Sequence, residues 1–312
     1  MKMEFKSEFI KRTKELMGRE SGELLEWLMK PLKQAIRVNT LKISVNDLLS
    51  RLKLKGWSIR KVDFAEGGFW IDEREESLGN TIEHFLGYYY AQEPASMIPP
   101  LILKPEKDDV VLDCCASPGS KTTQMAAMMN NQGLIIANDV SIDRIKILKI
   151  NMQRMGVSCG VITRRSGQAF SRMTDFFDKV LIDAPCSAEG AMRKKPYIAQ
   201  EWRVNMIAKL SAIQNQLIEA GFKSLKQGGS LVYSTCTLAP EENEGTINFL
   251  LNKYPNARLE KVELSGLKTR PGITSWEGKS FNDEVTKTAR IYPMDNDTEG
   301  FYVAKIIKGE EK

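Results

Sequence analysis

The run Val180-Leu181-Ile182 ends in Asp183-Ala184-Pro185-Cys186, and fifty residues on Leu231-Val232-Tyr233-Ser234 ends in Thr235-Cys236-Thr237. Continuous apolar, β-favouring runs of this kind predict buried parallel strands. In open α/β sheets the carboxyl ends of the strands are where ligands bind. Pro185 has no N–H and a fixed φ, so the strand must stop there and Cys186 is held on a stiffened loop beside the Asp183 carboxylate. Two thiols and an acid are thus expected at one sheet edge. A thiolate adding to carbon-6 of a cytosine breaks the ring's aromaticity and makes carbon-5 enamine-like, able to attack a sulfonium methyl. That chemistry needs a nucleophilic thiolate, a second group to help release, and an acid to hold the pyrimidine edge. Cys236, Cys186 and Asp183 supply all three types, and Lys121 adds a cation that lowers a thiol pKa or balances charge. The competing reading is a pair of inert core cysteines. Their placement at successive strand ends, one after Asp-Ala-Pro, argues against it.

The elements that would position these groups begin at Lys107. Strands are predicted at 110–112, 133–138, 160–163, 180–182 and 230–234, with helices at 122–130, 142–155 and 206–226 between them. Such alternation builds a doubly wound, mostly parallel sheet with right-handed crossovers. The first strand leads into Asp113-Cys114-Cys115-Ala116-Ser117-Pro118-Gly119-Ser120-Lys121, whose small residues let the backbone approach a ligand at a helix N-terminus. It is not G-x-G-x-x-G, so a pyrophosphate fits poorly. Asp139 closes the second strand, where such folds place the acid that grips ribose hydroxyls. These residues fit a nucleoside without a pyrophosphate, of which S-adenosylmethionine is the common one, and leave a nicotinamide cofactor open. Later strands are predicted at 257–264 and 301–307, with a helix at 241–251.

The amino-terminal part reads differently. Residues 1–60 carry 14 Lys and Arg against 7 Asp and Glu, a net +7, while the rest of the chain is −2. A basic lobe suggests a polyanion, nucleic acid first; a solvated face is the plain alternative. Helical spacing runs through 4–30, with Ser21 as an expected N-cap. Strands at 35–40, 57–62 and 68–71 around a helix capped by Ser44 give a β-α-β-β order, the pattern of a small RNA-binding sheet or of a cap over the second domain. Tyr88, Tyr89 and Tyr90 lead out of this lobe; three adjacent tyrosines suit stacking on bases, but packing is expected for at least two of them, and a helix is expected to end near Pro99-Pro100. Five cysteines without a Cys-x-x-Cys pair argue against a disulfide framework and a thiolate metal site. The single His84 builds neither a metal site nor a Cys–His dyad. No apolar run reaches membrane-spanning length and no signal peptide opens the chain, so a cytoplasmic protein is expected.

The segments DCCASPGSKTT (113–123), NDVSIDR (138–144), DAPCSAEG (183–190) and YSTCTLAPEENE (233–244) resemble the motifs of the Sun family of RNA cytosine-5 methyltransferases. The similarity extends to AIRVNT (35–40), YYAQEPASM (89–97) and RIYPMDNDTEGFYVAK (290–305), so it covers nearly the whole chain. The resemblance implies a Rossmann-like methyltransferase domain over 91–312 behind a small α+β RRM-like RNA-binding domain over 1–90. It implies Cys236 as nucleophile, Cys186 in product release, and Asp183 between cofactor and base. Cys115, Ala116, Ser117, Pro118, Gly119, Ser120 and Lys121 would line the S-adenosylmethionine site, with Asp139 on the ribose and Arg144 beside it. The family usually has an acid followed by glycine after the third strand, on the adenine; here Ser166-Gly167 stands there, and a serine carries no charge. Ser117 and Ser120 replace the family's alanine and glycine. The expected protein is a monomer acting on RNA, transfer RNA before ribosomal RNA, with neither a metal nor a membrane. A catalytically silent RNA-binding or assembly factor is the rival from another class, and the intact cysteines oppose it.

Overall fold

A computed structural model describes residues 4–74 and 76–310. The chain opens with α1 (Ser7–Met17) and α2 (Ser21–Met29), then β1 (Gln34–Val38), α3 (Val45–Leu54), β2 (Ser58–Lys61), β3 (Gly68–Glu73), α4 (Ile82–Phe85) and β4 (Tyr89–Ala91). The four strands form an antiparallel sheet in the order β2-β3-β1-β4. Ser44 caps α3 by accepting from the Asp47 amide. Ser21 is no cap, because it already lies inside α2 and its hydroxyl caps nothing. Period-two alternation sorts the sheet's side chains. Ile36, Val38, Phe69 and Ile71 face Leu48 and Leu52 of α3. Ala35 and Trp70 face the other way and join the core around Met97 and Ile98. One face of the small sheet is therefore covered by the second half of the chain. The fourth strand, β4, lies in the tyrosine segment and crosses residue 90; Tyr89 and Tyr90 are buried.

The second half contains α5 (Ile98–Leu103), β5 (Val110–Asp113), α6 (Ser120–Met128), β6 (Leu134–Asn138), α7 (Ile142–Met155), β7 (Gly160–Thr163), β8 (Phe177–Asp183), α8 (Ile198–Glu201), α9 (Val204–Ser224) and β9 (Leu225–Thr235). Then follow α10 (Glu244–Lys253), β10 (Ala257–Glu260), β11 (Arg270–Pro271), β12 (Ser275–Trp276), β13 (Lys279–Ser280), β14 (Ala289–Ile291), α11 (Pro293–Asn296) and β15 (Phe301–Lys308). Pro99 and Pro100 open α5 instead of ending a helix, because the first turn needs no N–H from them. Strands β7-β6-β5-β8-β9 run parallel in that order, and β15, β14, β11 and β10 add an antiparallel edge. The strand order reverses between β5 and β8, which puts Asp113 and Asp183 on either side of the switch point where such sheets bind ligands. Val111, Leu181 and Val232 face α5 and α6, whereas Leu112, Val180 and Leu231 face α9 and α10. The sheet is thus buried on both sides, which is why its strands read as continuous apolar runs. Gly228 and Gly229 lie inside β9, at an irregularity in its pairing with β8.

Candidate active site

Asp183 ends β8 and Thr235 ends β9, and the two following loops are bolted together. The Ser187 and Thr237 hydroxyls share a hydrogen bond of 2.7 Å. The Ser187 amide donates to Glu242 Oε2 at 3.0 Å, and Gln214 Nε2 donates to the same oxygen at 2.8 Å and to the Pro185 carbonyl at 2.8 Å. Thr235 Oγ1 donates to Asn243 Oδ1 at 2.6 Å, and Asn243 Nδ2 returns to the Thr237 carbonyl at 3.1 Å. The fully buried Arg290 clasps Glu244 through Nε and Nη2 and donates to the Leu238 carbonyl at 2.9 Å. This scaffold brings Cys186 Sγ within 3.4 Å of Cys236 Sγ, a hydrogen-bonding separation with both thiols free. The contact with Cys236, reinforced by burial, pushes the Cys186 thiol well above its ordinary range, so Cys186 keeps its proton beside the other sulfur.

A cavity of about 200 Å³ opens at this edge. Cys236, Asp183, Lys121 and, from the loop between β5 and α6, Cys115, Ala116, Ser117 and Pro118 line it together with Ser120. Lys121 Nζ donates to Asp183 Oδ2 at 2.7 Å and to Ser96 Oγ at 2.9 Å, and Ser234 Oγ donates to Asp183 Oδ1 at 2.9 Å. The acid and the lysine expected from sequence are therefore an ion pair, with a fixed carboxylate facing the cavity. Asp113 Oδ2 accepts from Thr122 at 2.6 Å, but its buried Oδ1 has no partner, and burial pushes this carboxyl up to about 7. An unsatisfied acceptor in the wall suits a ligand bearing N–H or O–H groups.

The other expected residues stand around this centre. Cys186 lies behind Cys236, and Gly119, at φ 103°, opens α6 where an added Cβ would meet Leu148 Cδ1 at 3.1 Å. Asp139 is buried and accepts from Arg144 Nε at 2.9 Å, and Arg144 Nη2 donates to the Ser117 carbonyl at 2.7 Å. The pair stitches the end of β6 to the loop between β5 and α6. Ser166 is exposed beyond β7 with its hydroxyl on Gln168, and it is not part of the cavity wall. The sequence assigned no role to Ser96, Lys194, Lys195, Glu299 or Phe301, all of which line the cavity. Ser96 lies in segment 89–97 and Glu299 and Phe301 in segment 290–305, whose resemblance to the Sun family is their only signal in the sequence.

Among the described residues no group of His, Cys, Asp and Glu could hold a metal ion, and no helix is long and apolar enough to cross a membrane.

Residues 100–307 match the family model of the 16S rRNA methyltransferase RsmB/F, and residues 5–94 match the N-terminal domain of 16S rRNA methyltransferase RsmF. A tRNA (cytosine(49)-C(5))-methyltransferase of Pyrococcus abyssi is 46% identical over 98% of this chain and 99% of its own. Ribosomal RNA small subunit methyltransferase F of Shewanella oneidensis is 43% identical over 92% of this chain, which spans 59% of that relative's length. A methyltransferase homolog from Pyrococcus horikoshii superposes with a TM-score of 0.88 at 35% identity, covering 98% of this chain and 96% of the other. NSun6 from the same organism, solved with SFG, superposes at 0.87 and 26% identity over the full length of both chains. The chain belongs to the RsmB/F (Sun) family and is an S-adenosylmethionine-dependent RNA cytosine-C5 methyltransferase.

Proposed function

We propose that this enzyme methylates a cytosine of transfer RNA through a covalent bond between Cys236 and the base, and that Cys186 completes the release. The observation that carries this reading is the 3.4 Å contact between Cys186 Sγ and the sulfur of Cys236, which lines the cavity together with Lys121 and Asp183. The Cys236 thiolate donates an electron pair to carbon-6, forming a C–S bond, and the pair of the 5,6 double bond moves to carbon-5. Asp183 accepts from the pyrimidine edge, and the Lys121 ammonium offsets the charge that develops on the ring. S-adenosylmethionine, when bound, supplies the methyl cation that carbon-5 takes up. Cys115 to Lys121 would cradle it, with Asp139 on the ribose, Arg144 holding that acid, and Ser166 at the adenine end. Cys186 then hands its proton to the departing Cys236 sulfur as the C–S bond breaks. The carbon-5 proton restores Cys186, and one proton reaches solvent per turnover.

The basic amino-terminal lobe, in this reading, supplies RNA affinity. Because Ala35 and Trp70 bury one face of its sheet, RNA would engage its helices and loops. Transfer RNA is favoured because the Pyrococcus abyssi relative, named for cytosine 49 of transfer RNA, shares 46% identity with this chain. The test is labelled-methyl transfer to separate transfer and ribosomal RNA pools, followed by nucleoside analysis. Label in 5-methylcytidine of transfer RNA is expected. Label confined to ribosomal RNA would move the substrate, and no label in either pool would contradict the reading.

A further inference from the structure

Cys236 does not stand alone on its side of the cavity. The Gly190 amide donates to the Cys236 carbonyl at 2.9 Å, and the Gly300 amide donates to the Gly190 carbonyl at 3.0 Å. The approach is so close that a Cβ on Gly190 would lie 2.1 Å from the Gly300 carbonyl oxygen. Three backbone segments are therefore zipped side by side. The short turn after Gly190 brings Lys194 and Lys195 into the cavity wall beside the nucleophile, and the segment before Gly300 brings Glu299. Lys194 Nζ stands 3.4 Å from Glu299 Oε1; the lysine is about half exposed and the glutamate is buried. Burial alone would depress the Lys194 ammonium, but the Glu299 and Glu93 carboxylates outweigh it and raise it above its ordinary value. The other lysine of the cavity, Lys121, is committed to Asp183 and Ser96.

The chemistry of a nucleotide says what these ammonium groups face. In a cytidine with its base in the usual anti orientation, carbon-6 is the ring atom turned toward the nucleotide's own 5′-phosphate. A sulfur placed to attack carbon-6 therefore works next to that phosphate. We propose that Lys194 and Lys195 form the binding site for the 5′-phosphodiester of the target cytidine, with Glu299 holding Lys194 over the cavity until RNA arrives. The site rests on the RNA-methylation reading above and extends it to a single phosphate. A bound phosphate fixes the sugar, and the sugar fixes where carbon-6 meets Cys236.

The test pairs one lysine with one phosphate. A transfer RNA carrying the mapped target cytidine is ligated from two pieces, so that the linkage 5′ to that cytidine is a neutral methylphosphonate. With the unmodified enzyme the apparent KM for this RNA should rise about tenfold over the all-phosphate RNA, the effect of one lost charge-assisted contact. Lys194→Met combined with Lys195→Met should raise KM about tenfold on the all-phosphate RNA and no further on the modified one. Lys194→Arg with Lys195→Arg should restore the unmodified enzyme's discrimination. Losses that multiply, or a sensitivity that appears only when the methylphosphonate is moved to the 3′ side, would overturn the assignment. So would weakened S-adenosylmethionine binding in the methionine variant, which would put the lysines on the cofactor's carboxylate. If the unmodified enzyme methylates no all-phosphate RNA, the functional reading fails by itself, before the lysines are asked.

Discussion

The hydroxyls of Ser187 and Thr237, each the residue after a cysteine, meet at 2.7 Å in the buried floor of the site. The bond joins the loops that end two neighbouring parallel strands, so the position of one sulfur is defined relative to the other. Thr237→Val keeps the shape but removes the bond and leaves the Ser187 hydroxyl unpaired. We expect a loss of about 1–3 kcal/mol in stability and about a tenfold fall in kcat, because a small displacement of reacting groups is costly. Ser187→Ala with Thr237→Val should be no worse than Thr237→Val alone, since the two act as one unit. Single-turnover rates with saturating cofactor measure this. Independent, multiplying losses would show that the hydroxyls do not act together.

Glu242 holds the Cys186 loop through the Ser187 amide and Gln214. Burial pushes its carboxyl up to about 7 from an ordinary 4.5. The folded protein thus retains a proton that the unfolded chain releases between these values. The resulting stability is fully present below pH 4.5 and is lost as pH rises through about 7. Glu242→Gln removes this dependence. Relative to the unmodified protein, the variant should gain on the order of 3 kcal/mol between pH 4.5 and pH 8. Denaturant unfolding across that range checks it, and parallel stability curves for the two proteins would refute it.

Much of this arrangement was legible in the sequence because parallel strands buried on both faces leave continuous apolar runs. Val110-Val111-Leu112 and Val180-Leu181-Ile182 fall inside β5 and β8, and α7 occupies the expected Ile142–Met155. The proximity of Cys186 and Cys236 followed from their place at adjacent strand ends. What was not legible depended on tertiary contact. Strand β4 is three residues long and looks like a linker until it pairs with β1. Pro99 and Pro100 mark a helix start or a helix stop equally well without the rest of the chain. Glu299 and Lys194 are 105 residues apart and meet only because Gly190 and Gly300 bring their backbones together.

By the resemblance to the family, Ser166 takes the place of an acid that would meet the adenine. It is exposed at the end of β7, and the loop before it is pinned by Asn138, which donates to the Arg165 carbonyl and accepts from the Arg165 amide. A carboxylate added on this fixed backbone should regain a charge-assisted hydrogen bond to the adenine, about 1.5–3 kcal/mol. Ser166→Asp is therefore expected to tighten S-adenosylmethionine binding about tenfold or more in titration calorimetry. Equal or looser binding would mean that other groups recognise the adenine here.

The two sulfurs divide the labour of attack and release, and trapping the covalent intermediate separates their roles. Each single variant is incubated with RNA and S-adenosylmethionine and run on a denaturing gel. Cys186→Ala should attack and transfer the methyl group but stall before release, leaving a ribonuclease-sensitive shifted band. Cys236→Ala, and the double variant, should show neither band nor turnover. A band in Cys236→Ala with none in Cys186→Ala would reverse the two roles, and full turnover without a band in both single variants would contradict the covalent account.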